Sequence, residues 1–319
     1  MENTVTATAA AIEVRHLSRY FGATRAVDDI SFAVRQGTVF GFIGPNGAGK
    51  TTTMRILATL DHPTSGEAEV AGFSVVSDPE QIRRRVGYMP DSFGSFSYMS
   101  CREYLDFFAR AYGLRRSARR DAVSRTLAFT GTEGIADKPV DTLSMGMRQR
   151  LCLGRALIHD PDVLILDEPA AGLDPRARIE LRGMIRDLAD QGKSILVSSH
   201  ILTELADFVD DIGILERGRL RAAGPLADVR RRFGGKRVVE LAVEGDSADV
   251  AVWLQNHLDT EEITCHGDHF CFICPDDSSE IESDLLSRLV AAGFRVKRFG
   301  IRESSLEDLF MDLTEGEVA

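Results

Sequence analysis

Tryptophan occurs once and cysteine five times in these 319 residues. Cys101, Cys152, Cys265, Cys271 and Cys274 are odd in number and unevenly spread, so they do not form a disulfide framework and reduced thiols are expected. No stretch approaches the ~20 consecutive apolar residues that cross a bilayer. The first ten residues lack the positive segment and apolar core of an export signal, so a cytoplasmic protein is expected, with residues 1–10 as a disordered tail. Basic residues are in the minority, 38 Lys and Arg against 49 Asp and Glu, for a formal net charge of −11. That balance argues against a general electrostatic grip on nucleic acid, whose backbone is held by Lys and Arg. No internal repeat or low-complexity tract is evident. What remains is an ordinary globular composition, 44% hydrophobic and 27% charged, long enough for one large domain and a smaller appendage.

Short alternating runs at Ile12-Glu13-Val14 and Ile30-Ser31-Phe32-Ala33-Val34, with Gly22 and Gly37 as turns, predict antiparallel strands. Thr38 to Ile43 reads as a buried strand, followed by a glycine-rich loop and a helical stretch from Thr51. Between about 91 and 143 the pattern is strongly helical, with Tyr104, Leu105, Phe107, Phe108 and Tyr112 expected on one side and Arg110, Arg115, Arg116, Arg119 and Arg120 on the other. Val163–Leu166 and Ser194–Ser198 are apolar strand runs flanking a helix from Ala177 to Gln191, which implies a parallel sheet covered by helices. A change near Phe233-Gly234-Gly235 predicts a domain boundary at about 234, after which strands and helices alternate to residue 319, the last helix covering Ser304 to Leu313. The expected fold is therefore α/β over residues 11–233, a mostly parallel sheet with an antiparallel β subdomain and a helical insertion. A small α+β domain is expected over 234–319.

Gly44-Pro45-Asn46-Gly47-Ala48-Gly49-Lys50-Thr51 fits the phosphate-loop pattern and sits where that pattern must sit, after a strand and at a helix start. Glycines allow turns that aim successive backbone N–H groups at phosphate oxygens, and the helix N-terminus adds partial positive charge. Lys50 would reach the outer phosphates, Thr51 would offer its hydroxyl to Mg²⁺, and Thr52 follows in the same turn. A nucleoside triphosphate is the implied ligand. Asp167 and Glu168 end the apolar strand Val163–Leu166, the place where α/β sheets build their sites. Alone, such a pair is usually a solvated strand end; beside a phosphate loop, Asp167 would hold Mg²⁺ and Glu168 would polarise the attacking water.

Leu143-Ser144-Met145-Gly146-Met147-Arg148-Gln149-Arg150, ending about a dozen residues before that strand, narrows the class. Here the chain resembles the ATP-binding cassette (ABC) family, whose signature reads Leu-Ser-Gly-Gly-Gln. Leu143, Ser144 and Gly146 are kept, while Met145 and Met147 replace the third and fifth positions, a form similar to that of the branch powering two-component exporters. The resemblance, covering about residues 11 to 230, implies a P-loop fold with ATP and Mg²⁺ as cofactors. It implies a homodimer in which Ser144 and Gly146 act on nucleotide held by the other copy. A separate transmembrane permease would be driven at the inner face of the cell membrane, in the direction of export. Within Gly172-Leu173-Asp174-Pro175 it makes Asp174 part of the D-loop at the dimer interface. It makes His200 the switch histidine that contacts the γ-phosphate, and Phe21 the aromatic that stacks on adenine, with Tyr20 left to core packing. Asp91 stands where the family carries a glutamine near Mg²⁺ and water, and a carboxylate oxygen there still suits Mg²⁺. Phe93, Phe96 and Tyr98 are expected either to dock the permease or to pack inside the helical subdomain. The Ser304–Phe310 segment resembles the short domain appended on this branch.

Two other readings compete. A non-transport cassette acting on DNA or ribosomes would carry long coiled coils or two cassettes in tandem, and this chain has neither. A regulatory module that binds ATP without turnover draws support from Asp91 and the altered signature, against the presence of Glu168 and His200. Cys265, His266, His269, Cys271 and Cys274 lie within ten residues of one another and could supply zinc ligands; the favoured reading is a hairpin with alternating faces, since standard zinc spacings separate two ligand pairs more widely.

Overall fold

The computed structural model describes residues 10–92, 94, 98–233, 237–244, 247–257, 263–273 and 280–303. Residues 1–9 of the expected N-terminal tail, Phe93, Phe96, Cys274 and the helix from Ser304 lie outside the described residues, while Ala10, expected in the tail, opens the first strand opposite Arg35. The chain divides into two compact units between Leu226 and Ala227.

The larger unit is organised by a six-stranded sheet in the order β10-β9-β3-β8-β7-β6. Its strands are β3 (Val39–Ile43), β6 (Val86–Met89), β7 (Val163–Leu166), β8 (Ser194–Ser199), β9 (Asp211–Glu216) and β10 (Arg219–Pro225). All are mutually parallel except β10, which runs antiparallel to β9. Every residue of β3, β7, β8 and β9 is buried, which is why β3 and β7 are written as apolar runs and β8 and β9 carry polar residues only at their ends. Helices α1 (Lys50–Leu57), α2 (Pro79–Arg83), α6 (Pro175–Asp190) and α7 (Leu202–Leu205) belong to the same unit.

A second sheet, β2-β1-β4-β5, is antiparallel, with β1 (Ala10–Phe21), β2 (Thr24–Arg35), β4 (Ser65–Val70) and β5 (Phe73–Ser74). Its alternating residues Ile12, Val14, Val27, Ile30 and Val34 are buried, the period-two pattern of a sheet with one face in the core. The Phe32 ring lies 5.3 Å from those of both Phe40 and Phe42, which locks this sheet onto β3.

The helical insertion contains α3 (Cys101–Ala111) and α4 (Arg116–Phe129), which share a core with α5 (Met145–Leu157). Ser100 starts α3 with a reciprocal cap: its hydroxyl accepts the Glu103 N–H and the Glu103 carboxylate accepts the Ser100 N–H. Cys101, Tyr104, Leu105 and Ala109 form the buried stripe. Phe107 corrects the expectation, being 51% exposed. At 100° per residue it falls more than a quarter-turn from the centre of the stripe, which lies near Cys101, Leu105 and Phe108.

The smaller unit contains α8 (Leu226–Phe233), β11 (Arg237–Glu244), α9 (Ser247–His257), β12 (Ile263–His266), β13 (His269–Ile273), α10 (Glu280–Ala291) and β14 (Arg295–Glu303). Its four-stranded sheet, β12-β13-β11-β14, is antiparallel throughout. Val239, Leu241, Phe270 and Phe272 on the sheet pack with Leu254, Leu285 and Leu289 on the helices. Cys265 is exposed, and among the described residues no three His, Cys, Asp or Glu side chains form a metal-holding group.

His159 ties the insertion to the sheet. Its Nε2–H donates to the Val86 carbonyl at 3.1 Å, and its ring stacks on Tyr112 at a centroid distance of 3.6 Å. Burial holds it neutral, pushing its pKa from 6.5 down to about 4, with Lys193 acting the same way and Asp160 opposing. The unfolded chain therefore binds more protons than the folded one between those two values, and stability falls as pH drops through that window. The expected loss is at most about 1 kcal/mol per pH unit, read by urea unfolding at about pH 7 and about pH 5. His159→Gln should remove that component of the pH dependence while keeping the donor to Val86.

Candidate active site

The loop after β3 is shaped by backbone approach. Gly44 and Gly49 sit so close to the carbonyls of Leu215 and Ala26 that a Cβ on either would collide with them. Gly47 (φ +79°) and Gly49 (φ +103°) hold left-handed conformations, and a Cβ on Gly47 would meet open space. The amides of Gly47, Gly49, Lys50 and Thr51 find no acceptor among the described residues. Four donors converging at the start of α1 form a cradle for an anion with several oxygens. Lys50 is only 5% exposed. Its Nζ donates to the carbonyls of Gly44 at 2.5 Å and Pro45 at 3.2 Å and lies 3.4 Å from Glu168 Oε1. Burial lowers its pKa, with Glu168 and Asp167 opposing.

Asp167 is fully buried at the end of β7. Ser198 Oγ donates to its Oδ1 at 2.7 Å, and Oδ2 makes no hydrogen bond. Burial raises the Asp167 pKa, the hydroxyls of Ser198 and Thr51 oppose it, and the nearby charges of Asp91 and Glu168 raise it further. Carboxylates that repel one another beside an unpartnered oxygen suit a divalent cation. Magnesium is usually held by one or two protein carboxylates together with phosphate oxygens, which needs no ready-made cage of protein ligands. Glu168 takes a left-handed backbone (φ +48°). Its Oε2 is hydrogen-bonded to His200 Nδ1 at 2.9 Å, while Oε1 lacks a hydrogen bond and faces Lys50. The structure thus brings Lys50, Thr51, Asp167, Glu168 and His200 together. Asp91 is exposed beyond the end of β6, close enough for its charge to act on Asp167.

Phe21 ends β1, is 48% exposed and carries the Arg19 guanidinium 4.3 Å from its ring centre. Tyr20 differs: its hydroxyl donates to Asp28 and its ring lies under Arg25.

The signature segment has other neighbours. Ser144 caps α5 by accepting the Met147 N–H, and Asp174 caps α6 by accepting the Ala177 N–H. Ser144, Gly146, Met147 and Asp174 line a hollow of ≈ 320 Å³ together with Arg150 and Glu180, which are ion-paired. Met145 and Met147 are exposed.

Sequence reasoning passed over Ser198, Ser199, Glu204 and Arg178. Ser199 Oγ donates to Glu204 Oε2 at 2.9 Å, Glu204 pairs with Arg178 at 2.9 Å, and Arg178 Nε donates to the Leu173 carbonyl at 2.9 Å. This chain of polar groups ties the end of β8 to the segment before Asp174. The available signal was two hydroxyls closing an otherwise apolar, fully buried strand, since a buried polar group requires a partner.

A family model described as ABC transporter matches residues 27–171, and one described as ATP-binding protein DrrA1-3-like, C-terminal domain, matches residues 224–314. The chain is 34% identical to the bacitracin transport ATP-binding protein BcrA of Bacillus licheniformis, over 96% of this chain and 97% of that one. It is 36% identical to the Nod factor export ATP-binding protein I of Burkholderia orbicola, over 97% and 98%. A solved ATP-binding subunit of an ABC transporter, 32% identical, superposes with a TM-score of 0.64 over 70% of this chain and 93% of that one.

The two loop glycines separate conformational strain from steric collision. Gly47→Ala should cost about 1 kcal/mol, the left-handed backbone alone, whereas Gly49→Ala adds a clash with the Ala26 carbonyl and should cost more than about 2 kcal/mol. Urea unfolding of the two variants checks the order.

Proposed function

This chain belongs to the family of ABC transporter ATP-binding proteins, and we propose that two copies bind two MgATP between them and drive a separate membrane permease for export. The observation that carries this reading is the contact of His200 with Glu168 at 2.9 Å, beside Lys50 and the unpartnered Oδ2 of Asp167. ATP, when bound, supplies the transferable phosphoryl group, and Mg²⁺ neutralises charge on its outer phosphates. Within the loop from Gly44 to Thr51, the free amides of Gly47, Gly49, Lys50 and Thr51 would hold the phosphates, with Thr52 in the same turn. Lys50 exchanges its two carbonyl partners for phosphate oxygens. Thr51 Oγ1, Asp167 Oδ2 and Asp91 would hold the metal, and the outward-facing ring of Phe21 would take the adenine.

Glu168 accepts the hydrogen bond of the attacking water and takes its proton, and His200 holds the carboxylate in place while facing the γ-phosphate. This paired geometry supports turnover over an ATP-binding module without chemistry. Ser144, Gly146 and Asp174 line a separate hollow, so their role is on nucleotide held by the second copy, which is what makes the dimer part of the reaction. The relatives named for bacitracin and Nod factor match over nearly their full length, which supports placing cargo choice in the permease.

Docking of the permease is assigned to the segment following Asp91. Tyr98 there is 98% exposed with φ +64°, a large ring that none of the described residues covers. Tyr98→Glu should leave ATP hydrolysis by the isolated subunit unchanged and abolish its co-purification with the permease; retained co-purification would remove this assignment. For the motor itself, Glu168→Gln should slow Mg²⁺-dependent phosphate release by at least about a hundredfold. Light scattering should find the variant trapped as a dimer in ATP. A wild-type protein that neither hydrolyses ATP nor dimerises would overturn the reading.

A further inference from the structure

Ser198 is the penultimate residue of β8, the strand lying between β3 and β7. Its side chain points to the β7 side of the site and the residue is 1% exposed. One hydroxyl makes two bonds of opposite sense. It donates to Asp167 Oδ1 at 2.7 Å and accepts the Glu168 N–H at 2.9 Å. The first bond fixes the rotation of the Asp167 carboxylate, leaving Oδ2 as the oxygen without a partner. The second holds the peptide that enters Glu168, a residue whose left-handed backbone (φ +48°) requires outside support in a side chain of this size. Ser199, one residue on, faces the other way and serves Glu204 and the Ile201 amide, as alternation along a strand requires. The two serines therefore cannot substitute for one another.

We propose that Ser198 is a positioning residue of the hydrolytic centre, presenting Asp167 Oδ2 to Mg²⁺ and holding the Glu168 peptide in the turn that places its carboxylate against His200. This rests on the roles assigned above to Asp167 and Glu168. The hydroxyl donates to Asp167 and accepts the Glu168 N–H, so it acts through the two acids. A purely structural serine would affect stability without separating metal dependence from nucleotide binding.

The test uses the full chain with Ser198→Ala, Ser198→Thr and Ser198→Cys. Two quantities are measured: ATP turnover, and the factor by which Mg²⁺ tightens ADP binding in titration calorimetry with and without the metal. Ser198→Ala should lower kcat by about tenfold to a hundredfold and leave the KM for ATP within about threefold, the range typical of groups that orient metal ligands. It should cut the Mg²⁺ tightening factor at least about fivefold while metal-free ADP binding stays unchanged, and Ser198→Thr, which keeps the hydroxyl, should recover most of both effects. A folded Ser198→Ala with wild-type turnover and wild-type Mg²⁺ response overturns the proposal. If that variant does not fold, Ser198→Cys, close in shape but a weak donor, decides on the same criteria. Wild-type protein without Mg²⁺-dependent turnover would sink the reading of the site as a motor, and the ADP titrations would still decide the role of Ser198 toward the metal.

Discussion

The structure depends on one adjacency, the insertion of β8 between β3 and β7 in the parallel sheet. Neighbouring strands lie about 4.8 Å apart, so the phosphate loop leaving β3, the serine pair ending β8 and the acid pair ending β7 are held within one side chain's reach. Register enforces it: Ile43 is level with Ser199, and Leu166 with Val197. The site lies at the carboxyl ends of three consecutive strands, where an open α/β sheet leaves a crevice.

That crevice is expensive to maintain. Lys50 and Asp167 are buried, burial works against the charged form of each, and Glu168 holds a left-handed backbone. Mutual attraction between Lys50 and the two acids offsets part of the cost, yet Asp167 Oδ2 and Glu168 Oε1 keep no hydrogen bond. Unsatisfied buried oxygens and local strain concentrate where a protein is shaped to receive something. A cation between the carboxylates and an anion on the loop amides would satisfy both sets, and MgATP supplies both.

In the proposed dimer the signature face would complete the chemistry of the other copy. Ser144 and Asp174 cap α5 and α6 and, with Gly146 in the first turn of α5, line their own hollow, as expected of the second half-site that the proposed dimer requires. Two such chains placed head to tail would join each loop to the other's signature, in keeping with the ATP-driven dimer proposed. The polar chain from Ser199 through Glu204 and Arg178 to the Leu173 carbonyl links the two halves within one copy. These bonds join the segment before Asp174 to the strand end that precedes His200.

Much of this was legible beforehand because the elements concerned are local. The loop from Gly44 to Thr51, the buried strand ending in Asp167 and Glu168, and the alternation of β1 and β2 follow from backbone sterics and burial patterns written within a few consecutive residues. Phe107 was misplaced because helical spacing alone does not say where the centre of the buried stripe falls; packing against α4 and α5 decides that. The contact of Glu168 with His200, the orphaned oxygen of Asp167 and the part played by Ser198 were invisible in the chain, since they join residues some thirty positions apart and depend on strand order. Sequence determined which groups the protein carries, because turn chemistry and apolar runs are properties of neighbours in the chain. Tertiary structure alone decided which of them meet, because parallel strands are paired through crossovers and no residue encodes its own neighbour in the sheet.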